Sequence, residues 1–221
     1  PYQPIEGDWK ITCACIAILA ECRHPLLITT KSDRILRDID LLAEMARDGL
    51  VAVALSVTSL QSAIARTLEP RAPHPEKRIA TIRALAQAGV PVWVNVAPVI
   101  PAITDQEMEA ILERCAAAGV NGASWMAVRL PHEVAPLFRD WLGAHYPERA
   151  GKVMAIIRDL RGGRDNDPRF GHRMRPQGVV WAELLRARFR KALVRYGIAQ
   201  QAPVLRTDLF RPPEGAQYRL F

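Results

Sequence analysis

One stretch in the middle of the chain, residues 67–101, restricts the possible folds more than any other. A charged loop between prolines, Glu69 to Pro75, leads into a helical pattern that runs to Ala88, and Gly89 ends that helix. An apolar segment from Val90 to Val96 follows directly. A helix, a glycine in the left-handed C-cap and a buried strand are the repeating unit of an α/β protein. We therefore predict an α/β fold.

The same unit recurs along the chain. Apolar strands are predicted at residues 26–30, 50–57, 90–96 and 123–130, and helices at 9–21, 35–47, 75–88, 104–118 and 133–145. The run at 50–57 is apolar almost throughout, which is typical of a strand buried on both faces. Short connections imply right-handed crossovers and one parallel sheet. Because the series opens with a helix, whereas an α/β barrel opens with a strand, we predict a partial (β/α) barrel without its leading strands.

Two helix starts carry capping signals. Asp8 is placed to cap the first helix, and the segment from Thr104 to Glu107 has the spacing of a capping box. In a capping box the threonine hydroxyl and the glutamate carboxylate each accept a hydrogen bond from a backbone N–H of the helix start.

Charge divides the 221 residues into two parts. Residues 1–146 carry 14 Lys+Arg against 16 Asp+Glu, a net −2, whereas residues 147–221 carry 16 against 7, a net +9. We predict a barrel domain over 1–146 and a basic helical extension over 147–221, with helices at 149–160 and 179–196 around a glycine- and arginine-rich loop at 161–178. A basic segment suggests a polyanion partner such as nucleic acid, although composition by itself favours a solvated arginine-rich helix.

The chain has four cysteines: Cys13, Cys15, Cys22 and Cys115. Their spacing matches no zinc or iron–sulfur motif. Cys15 and Cys22 lie seven residues apart on one face of a predicted helix, together with Ile18, so we predict that they are small buried hydrophobes.

The apolar residues form a core and no membrane span. The composition, 49% hydrophobic and 24% charged, is that of a globular protein. Apolar runs stay below the ~18 residues that a membrane helix needs. Since no charged-then-apolar leader opens the chain, we expect a cytoplasmic protein.

Polar or small residues stand at the predicted carboxyl ends of all four strands: Lys31, Ser56, Asn95, Ala97, Pro98 and Arg129. Because the carboxyl ends of parallel strands meet at one edge of a sheet, these residues should converge on one mouth. A lysine, a hydroxyl, a strand edge and an arginine suit an anionic ligand with a carboxylate or a ribose. The alternative is that Lys31 and Ser56 are ordinary residues of loop entries.

A second group of charges surrounds the 67–75 loop: Glu69, Arg71, Lys77 and Arg78. They form either an ion-pair network that holds the loop or a set of ligand contacts. The structural interpretation is slightly favoured, because charges near a helix start often serve capping.

Several short motifs follow one another in a specific order: Ile28-Thr29-Thr30-Lys31, Leu55-Ser56, Leu68-Glu69-Pro70-Arg71, Lys77-Arg78, Ala88-Gly89 and Val96-Ala97-Pro98. Over residues 1–130 this order resembles spore photoproduct lyase and its relatives in the radical SAM superfamily. Nearly the whole chain, including the RGG, RFG and RMR motifs of residues 161–175, resembles uncharacterised bacterial radical SAM proteins still more closely.

The resemblance implies an enzyme that binds a 4Fe–4S cluster through three cysteines and cleaves S-adenosylmethionine reductively to a 5′-deoxyadenosyl radical. It also implies an electron donor such as flavodoxin or ferredoxin, and a lyase-like reaction such as the repair of nucleic-acid photolesions. By position, the cofactor contacts implied are Lys31, Ser56, Asn95, Ala97 and Pro98. Substrate or loop contacts are then expected from Glu69, Arg71, Arg78 and Arg129.

The chain departs from the superfamily pattern in two places. It has no C-x3-C-x2-C motif, so we expect the cluster ligands upstream of Pro1 and interpret the chain as an amino-truncated member. Arg71 stands where the lyase has glycine, which weakens the case for a shared substrate. Two other hypotheses stay open: a non-catalytic polyanion-binding protein on a part-barrel, and an ordinary α/β-barrel metabolic enzyme with a phosphate site.

Overall fold

The computed structural model describes residues 2–166 and 179–212, and these residues form one four-stranded sheet. Neighbouring strands are parallel and follow the chain order β1-β2-β3-β4, which confirms the predicted parallel α/β sheet. The strands are β1 (Leu26–Thr30), β2 (Val51–Ser56), β3 (Val92–Val99) and β4 (Gly122–Ala127). Strand β3 continues past its predicted end at Val96, with a shift of register before Val99.

Nine α-helices lie within the described residues: α1 (Glu6–Trp9), α2 (Ile11–Glu21), α3 (Ile39–Arg47), α4 (Ser62–Leu68), α5 (Pro75–Gln87), α6 (Met108–Ala117), α7 (Val134–His145), α8 (Pro147–Asp159) and α9 (Val180–Tyr196). Two 3-10 helices precede α3 and α6, at Asp33–Asp38 and Asp105–Glu107. Helix α4 was not predicted from the sequence. No segment of residues 2–166 or 179–212 combines the helical length and apolarity that a bilayer requires.

Both predicted helix caps are wrong. Lys10 adopts a left-handed conformation with φ 52° and splits the first helix, so the backbone N–H of Thr12 at the start of α2 donates to the Glu6 carboxylate at 3.0 Å. In the second case the Thr104 hydroxyl accepts from the backbone N–H of Ile100 at 2.8 Å. The Glu107 carboxylate accepts from Ser59 and Leu60 instead of its own helix. Both carboxylates therefore serve tertiary contacts, which local spacing cannot reveal.

The main hydrophobic core lies between the sheet and its helices. Every residue of β2 is buried, as its apolar sequence predicts for a strand covered on both faces. A second cluster joins α4, α7 and α8 through Ile64, Phe138 and Ile157. Buried apolar surface of this kind stabilises a domain by about 25 cal/mol per Å².

Helix α9 belongs to the main core and does not form a separate one. Leu185, Phe189 and Leu193 on its inner face pack into the cluster built on the sheet. After α9 the chain reaches the free edge of β4, where Ala199 forms a parallel bridge with Gly122. The basic segment is thus integrated with the sheet. The proposed domain division at residue 146 stays a prediction, and most of the glycine- and arginine-rich loop lies outside the described residues.

Candidate functional site

An open cleft of about 660 Å³ lies at the carboxyl ends of β1 and β2. Its size falls within the range of about 300–1,000 Å³ that is typical of small-molecule sites. Three groups of residues form its walls: the N-terminal segment from Tyr2 to Pro4, the end of β1 from Thr29 to Arg34, and the 71–74 loop before α5. Ser56 at the end of β2 closes the floor.

The cleft brings together three of the residues singled out from the sequence, namely Lys31, Ser56 and Arg71. The parallel register explains two of them, because Thr30 pairs with Leu55 and so places Lys31 beside Ser56. Lys31 is half-buried, and its Nζ lies 3.5 Å from a Glu69 carboxylate oxygen.

The other predicted strand-end residues do not line this cleft. The Asn95 side chain accepts a hydrogen bond from the Ser124 hydroxyl at 2.6 Å, and the Ala97 carbonyl accepts one from Thr58 at 3.0 Å. Pro98 is half-buried on β3. The cleft therefore gathers the ends of β1 and β2, whereas the Asn95 side chain and the Ala97 carbonyl bond to Ser124 and Thr58. The convergence of all four strand ends on one mouth stays a prediction.

Arg129 follows β4 and lies apart from the cleft. Its Nε is buried and has no hydrogen-bond partner among the described residues. The nearby Arg161 guanidinium donates to the Val128 carbonyl at 3.3 Å. Arg129 is thus half-buried and does not line the cleft that contains Lys31 and Ser56.

Behind the cleft, Arg78 is buried and holds the preceding loop. It donates to the Glu69 carboxylate at 2.7 Å, to the Pro73 carbonyl at 2.9 Å and to the Ser56 carbonyl at 3.3 Å. Thr58 donates to the same carboxylate at 2.9 Å. A buried charge is tolerated when it is paired and hydrogen-bonded in this way. Glu69 and Arg78 therefore lie in an ion-pair network, while Arg71, between them in sequence, points outside it.

The N-terminal wall is fixed by a cluster that sequence reasoning missed. The buried Tyr2 hydroxyl donates to Asp38 at 2.9 Å, and the Arg37 guanidinium donates to both oxygens of that carboxylate. Burial, and then the bond to Asp38, raise the pKa of Tyr2. Burial alone would raise the pKa of Asp38, but hydrogen bonds from Arg37, Tyr2 and the Cys13 thiol outweigh it and lower that pKa. From the sequence, the segment that contains Tyr2 was predicted only to be a loop, so this cluster was not expected.

The four cysteines do not fit a metal cluster. Within residues 2–166 and 179–212, no group of three or more His, Cys, Asp or Glu side chains is placed to hold a metal ion. Cys15 is exposed, Cys13 is half-buried, and Cys22 and Cys115 are buried. Burial raises the pKa of Cys115 to about 12, which disfavours the thiolate that a metal requires. The prediction that Cys15 is buried is wrong, because α2 turns Ile16 to the core instead.

The fold is that of a parallel α/β protein with an open cleft at the carboxyl ends of its first two strands. The profile of the Radical SAM superfamily matches residues 3–115, which include the first three strands and all but the last residues of α6. The chain belongs to the radical SAM superfamily. This family implies S-adenosylmethionine and a 4Fe–4S cluster, and the donor set of the cleft fits the first but the described residues do not fit the second.

Relatives of this chain include proteins that are described as uncharacterized. The uncharacterized protein Rv2578c of Mycobacterium tuberculosis and the uncharacterized protein Mb2609c of Mycobacterium bovis are each 34% identical over 160 residues, covering 72% of this chain and 47% of theirs. The uncharacterized protein MJ0683 of Methanocaldococcus jannaschii is 33% identical over 106 residues, covering 48% of this chain and 39% of its own length. The chain thus spans about half the length of the first two relatives.

Proposed function

We propose that the β1–β2 cleft binds S-adenosylmethionine and that this chain supplies the cofactor-binding part of a radical SAM enzyme. The observation that carries the proposal is the convergence of Lys31 and Ser56 in one cleft of suitable size. Membership of the superfamily makes this cofactor the expected ligand.

The side chains at the cleft have the chemistry that this cofactor needs. The Lys31 ammonium has three donors, and its contact with Glu69 leaves others for the methionyl carboxylate. The Ser56 hydroxyl can accept from or donate to a ribose or an amino group. Arg78 fixes the Ser56 backbone from behind, so the floor of the cleft is held in place before any ligand binds.

S-adenosylmethionine, when it is bound next to an iron–sulfur cluster, supplies radical chemistry that abstracts hydrogen from a substrate. Since the described residues do not fit the cluster, no step through it is assigned to them. The finer parts of the proposal are a lyase-type reaction on a nucleic-acid photolesion and an electron donor such as flavodoxin or ferredoxin. They are supported only by the order of sequence motifs and by exposed cations such as Arg190 and Lys191 on α9.

The test is binding of S-adenosylmethionine to the full-length protein, measured by calorimetry under anaerobic conditions. Lys31→Ala should weaken binding about tenfold, because a charge-assisted hydrogen bond to a carboxylate is lost. Lys152→Ala, which removes an exposed lysine on α8, is the matched control and should leave the affinity within about twofold. Equal affinities for the Lys31 variant and the unchanged protein would contradict the proposed site.

The enzymatic part needs a separate assay. Full-length protein reconstituted with iron and sulfide should cleave S-adenosylmethionine to 5′-deoxyadenosine when a reductant is added. Tight binding without cleavage would retain the cofactor site and argue for a non-catalytic role.

A further inference from the structure

The cleft has more positive charge than its proposed cofactor can use. Four cations line it, Lys31, Arg34, Arg71 and Lys77, against the single carboxylate of Asp33. Lys31 pairs with Glu69, and Lys77 lies 3.8 Å from Asp33. Within the described residues, the side chains of Arg34 and Arg71 have neither an ion pair nor a hydrogen bond.

Arg71 sits on a loop that prolines and hydrogen bonds hold in place. The backbone N–H of Ala72 donates to the Glu69 carbonyl at 2.9 Å and closes a turn around Arg71, and Pro70 and Pro73 restrict the backbone on either side. Buried Arg78 bonds to the Glu69 carboxylate before the turn and to the Pro73 carbonyl after it. A side chain held on such a loop loses less entropy when it binds an anion.

Arg34 reaches the cleft from a different segment, the residues that follow β1. Its backbone N–H donates to the Ser32 hydroxyl, which caps the 3-10 helix at the end of β1. Its guanidinium lies against Gly7, where an added Cβ would come within 3.2 Å of Nη1. The two unpaired arginines therefore face the same cleft from two separately anchored segments.

His74, also in the cleft wall, is not a free partner for a ligand. Its Nδ1 accepts from the backbone N–H of Glu76 at 3.2 Å, so the proton lies on Nε2, which is 2.6 Å from the Ser62 hydroxyl. In this tautomer His74 donates to Ser62 and cannot act as its base. Among the described residues that line the cleft, the two guanidinium groups are the cations without an ion pair.

Two guanidinium groups match a phosphate better than a carboxylate. A carboxylate has two oxygens and is satisfied by one bidentate arginine, whereas the oxygens of a phosphate accept from several donors. S-adenosylmethionine has one carboxylate, for which Lys31 is already available, and its sulfonium and amino groups are repelled by further cations. We propose that Arg34 and Arg71 form a phosphate subsite that holds an anionic substrate beside the cofactor. This inference rests on the proposed function for the identity of the neighbouring ligand.

The test is an NMR titration of the full-length protein with inorganic phosphate, dimethyl phosphate and acetate, observing the arginine Nε–H signals. Inorganic phosphate represents a phosphomonoester, dimethyl phosphate a phosphodiester, and acetate a carboxylate. We expect a phosphate probe to shift the signals of Arg71 and Arg34 at lower concentration than acetate does. The stronger of the two phosphate probes identifies the source of the group in the substrate. Acetate binding as strongly as both would overturn the assignment to phosphate.

Substitutions separate this subsite from the cofactor site. Arg71→Ala and Arg34→Ala should each weaken binding of the phosphate probe about tenfold. Arg83→Ala removes an exposed arginine on α5 away from the cleft and is the matched control. The same variants are titrated with S-adenosylmethionine, and the loss for phosphate should exceed the loss for the cofactor.

The phosphate and S-adenosylmethionine titrations together distinguish a phosphate subsite from a cofactor site. A larger loss of S-adenosylmethionine than of phosphate would overturn the subsite and make these arginines cofactor ligands. Arginine-dependent phosphate binding in a protein that does not bind S-adenosylmethionine would retain the subsite and remove the proposed function.

Discussion

The polar groups at the strand ends have different partners in the two halves of the sheet, β1–β2 and β3–β4. On the β3–β4 side, Asn95 and Ser124 bond to each other, and the Ala97 carbonyl is used by Thr58. On the β1–β2 side, the polar groups behind the cleft are paired, whereas the cations that face it are exposed or half-buried. The same position in a parallel fold can thus be filled by internal hydrogen bonds or left available for a ligand.

This difference locates the site more sharply than strand position alone. A group that is already hydrogen-bonded inside the protein gains little by binding a ligand, because it exchanges one partner for another. An exposed guanidinium on an anchored loop replaces only water molecules when it binds a ligand. Arg71 and Asn95 were both reasonable candidates from the sequence, and their partners in the structure separate them.

The largest expected effect concerns the buried support of the β1–β2 side. Arg78→Met removes the buried partner of Glu69, leaves that carboxylate with Lys31 as its remaining ion-pair partner, and should lower the free energy of unfolding by about 3–5 kcal/mol, measured by urea denaturation. Arg78→Lys keeps the charge without the planar fork and should cost less. Arg83→Ala, on the exposed face of the same helix, should change stability by no more than about 0.5 kcal/mol. If the Arg78 and Arg83 variants were equally stable, Arg78 would not be the support that we infer.

Sequence reasoning succeeded where short-range patterns decide the structure. The strand of 51–56 and the helix that starts at Pro75 follow from an apolar run and from a proline at the first helical turn. Lys31 and Ser56 were placed at neighbouring strand ends by the same logic.

Sequence reasoning failed where hydrogen-bond partners are distant in the chain. Glu107 has capping-box spacing, but its carboxylate bonds to Ser59, 48 residues earlier. The buried Tyr2 contacts Asp38 and Arg37, which lie more than 30 residues later in the chain. The sequence around Tyr2 gives no indication of these contacts. The bond between Asn95 and Ser124 could not be predicted for the same reason, since it joins two strands.

A second, intermediate effect tests how tightly the β3–β4 side is packed. A Cβ on Gly122 would lie 2.2 Å from the Trp93 ring, so Gly122→Ala must displace that ring. Overpacking of this kind should cost about 1–3 kcal/mol in the free energy of unfolding. The matched change is Gly151→Ala in the middle of α8, where nothing lies within 4 Å and the new methyl group should stabilise the helix by about 0.5–1 kcal/mol. A lower free energy of unfolding for Gly122→Ala and a higher one for Gly151→Ala would support dense packing between β3 and β4. A change in the same direction for both variants would contradict it.

The smallest effect concerns the N-terminal wall of the cleft and its dependence on pH. Tyr2→Phe removes one hydrogen bond to Asp38 and should cost about 0.5–1.5 kcal/mol at pH 7. Because the pKa of Asp38 is lowered in the folded protein, its contribution is present above the unfolded value of about 3.9 and is lost as the pH falls through the folded value. In that interval the unfolded chain binds more protons than the folded one, so acid shifts the equilibrium toward unfolding.

Asp38→Asn isolates this contribution, because the amide cannot titrate. Urea denaturation from pH 6 to pH 3 should show a shallower loss of stability for this variant than for the unchanged protein. Asp40→Asn removes an exposed carboxylate on α3 that has no hydrogen bond or ion pair among the described residues, and it should leave the slope unchanged. If Asp38→Asn retained the full slope, the N-terminal wall would not depend on this carboxylate.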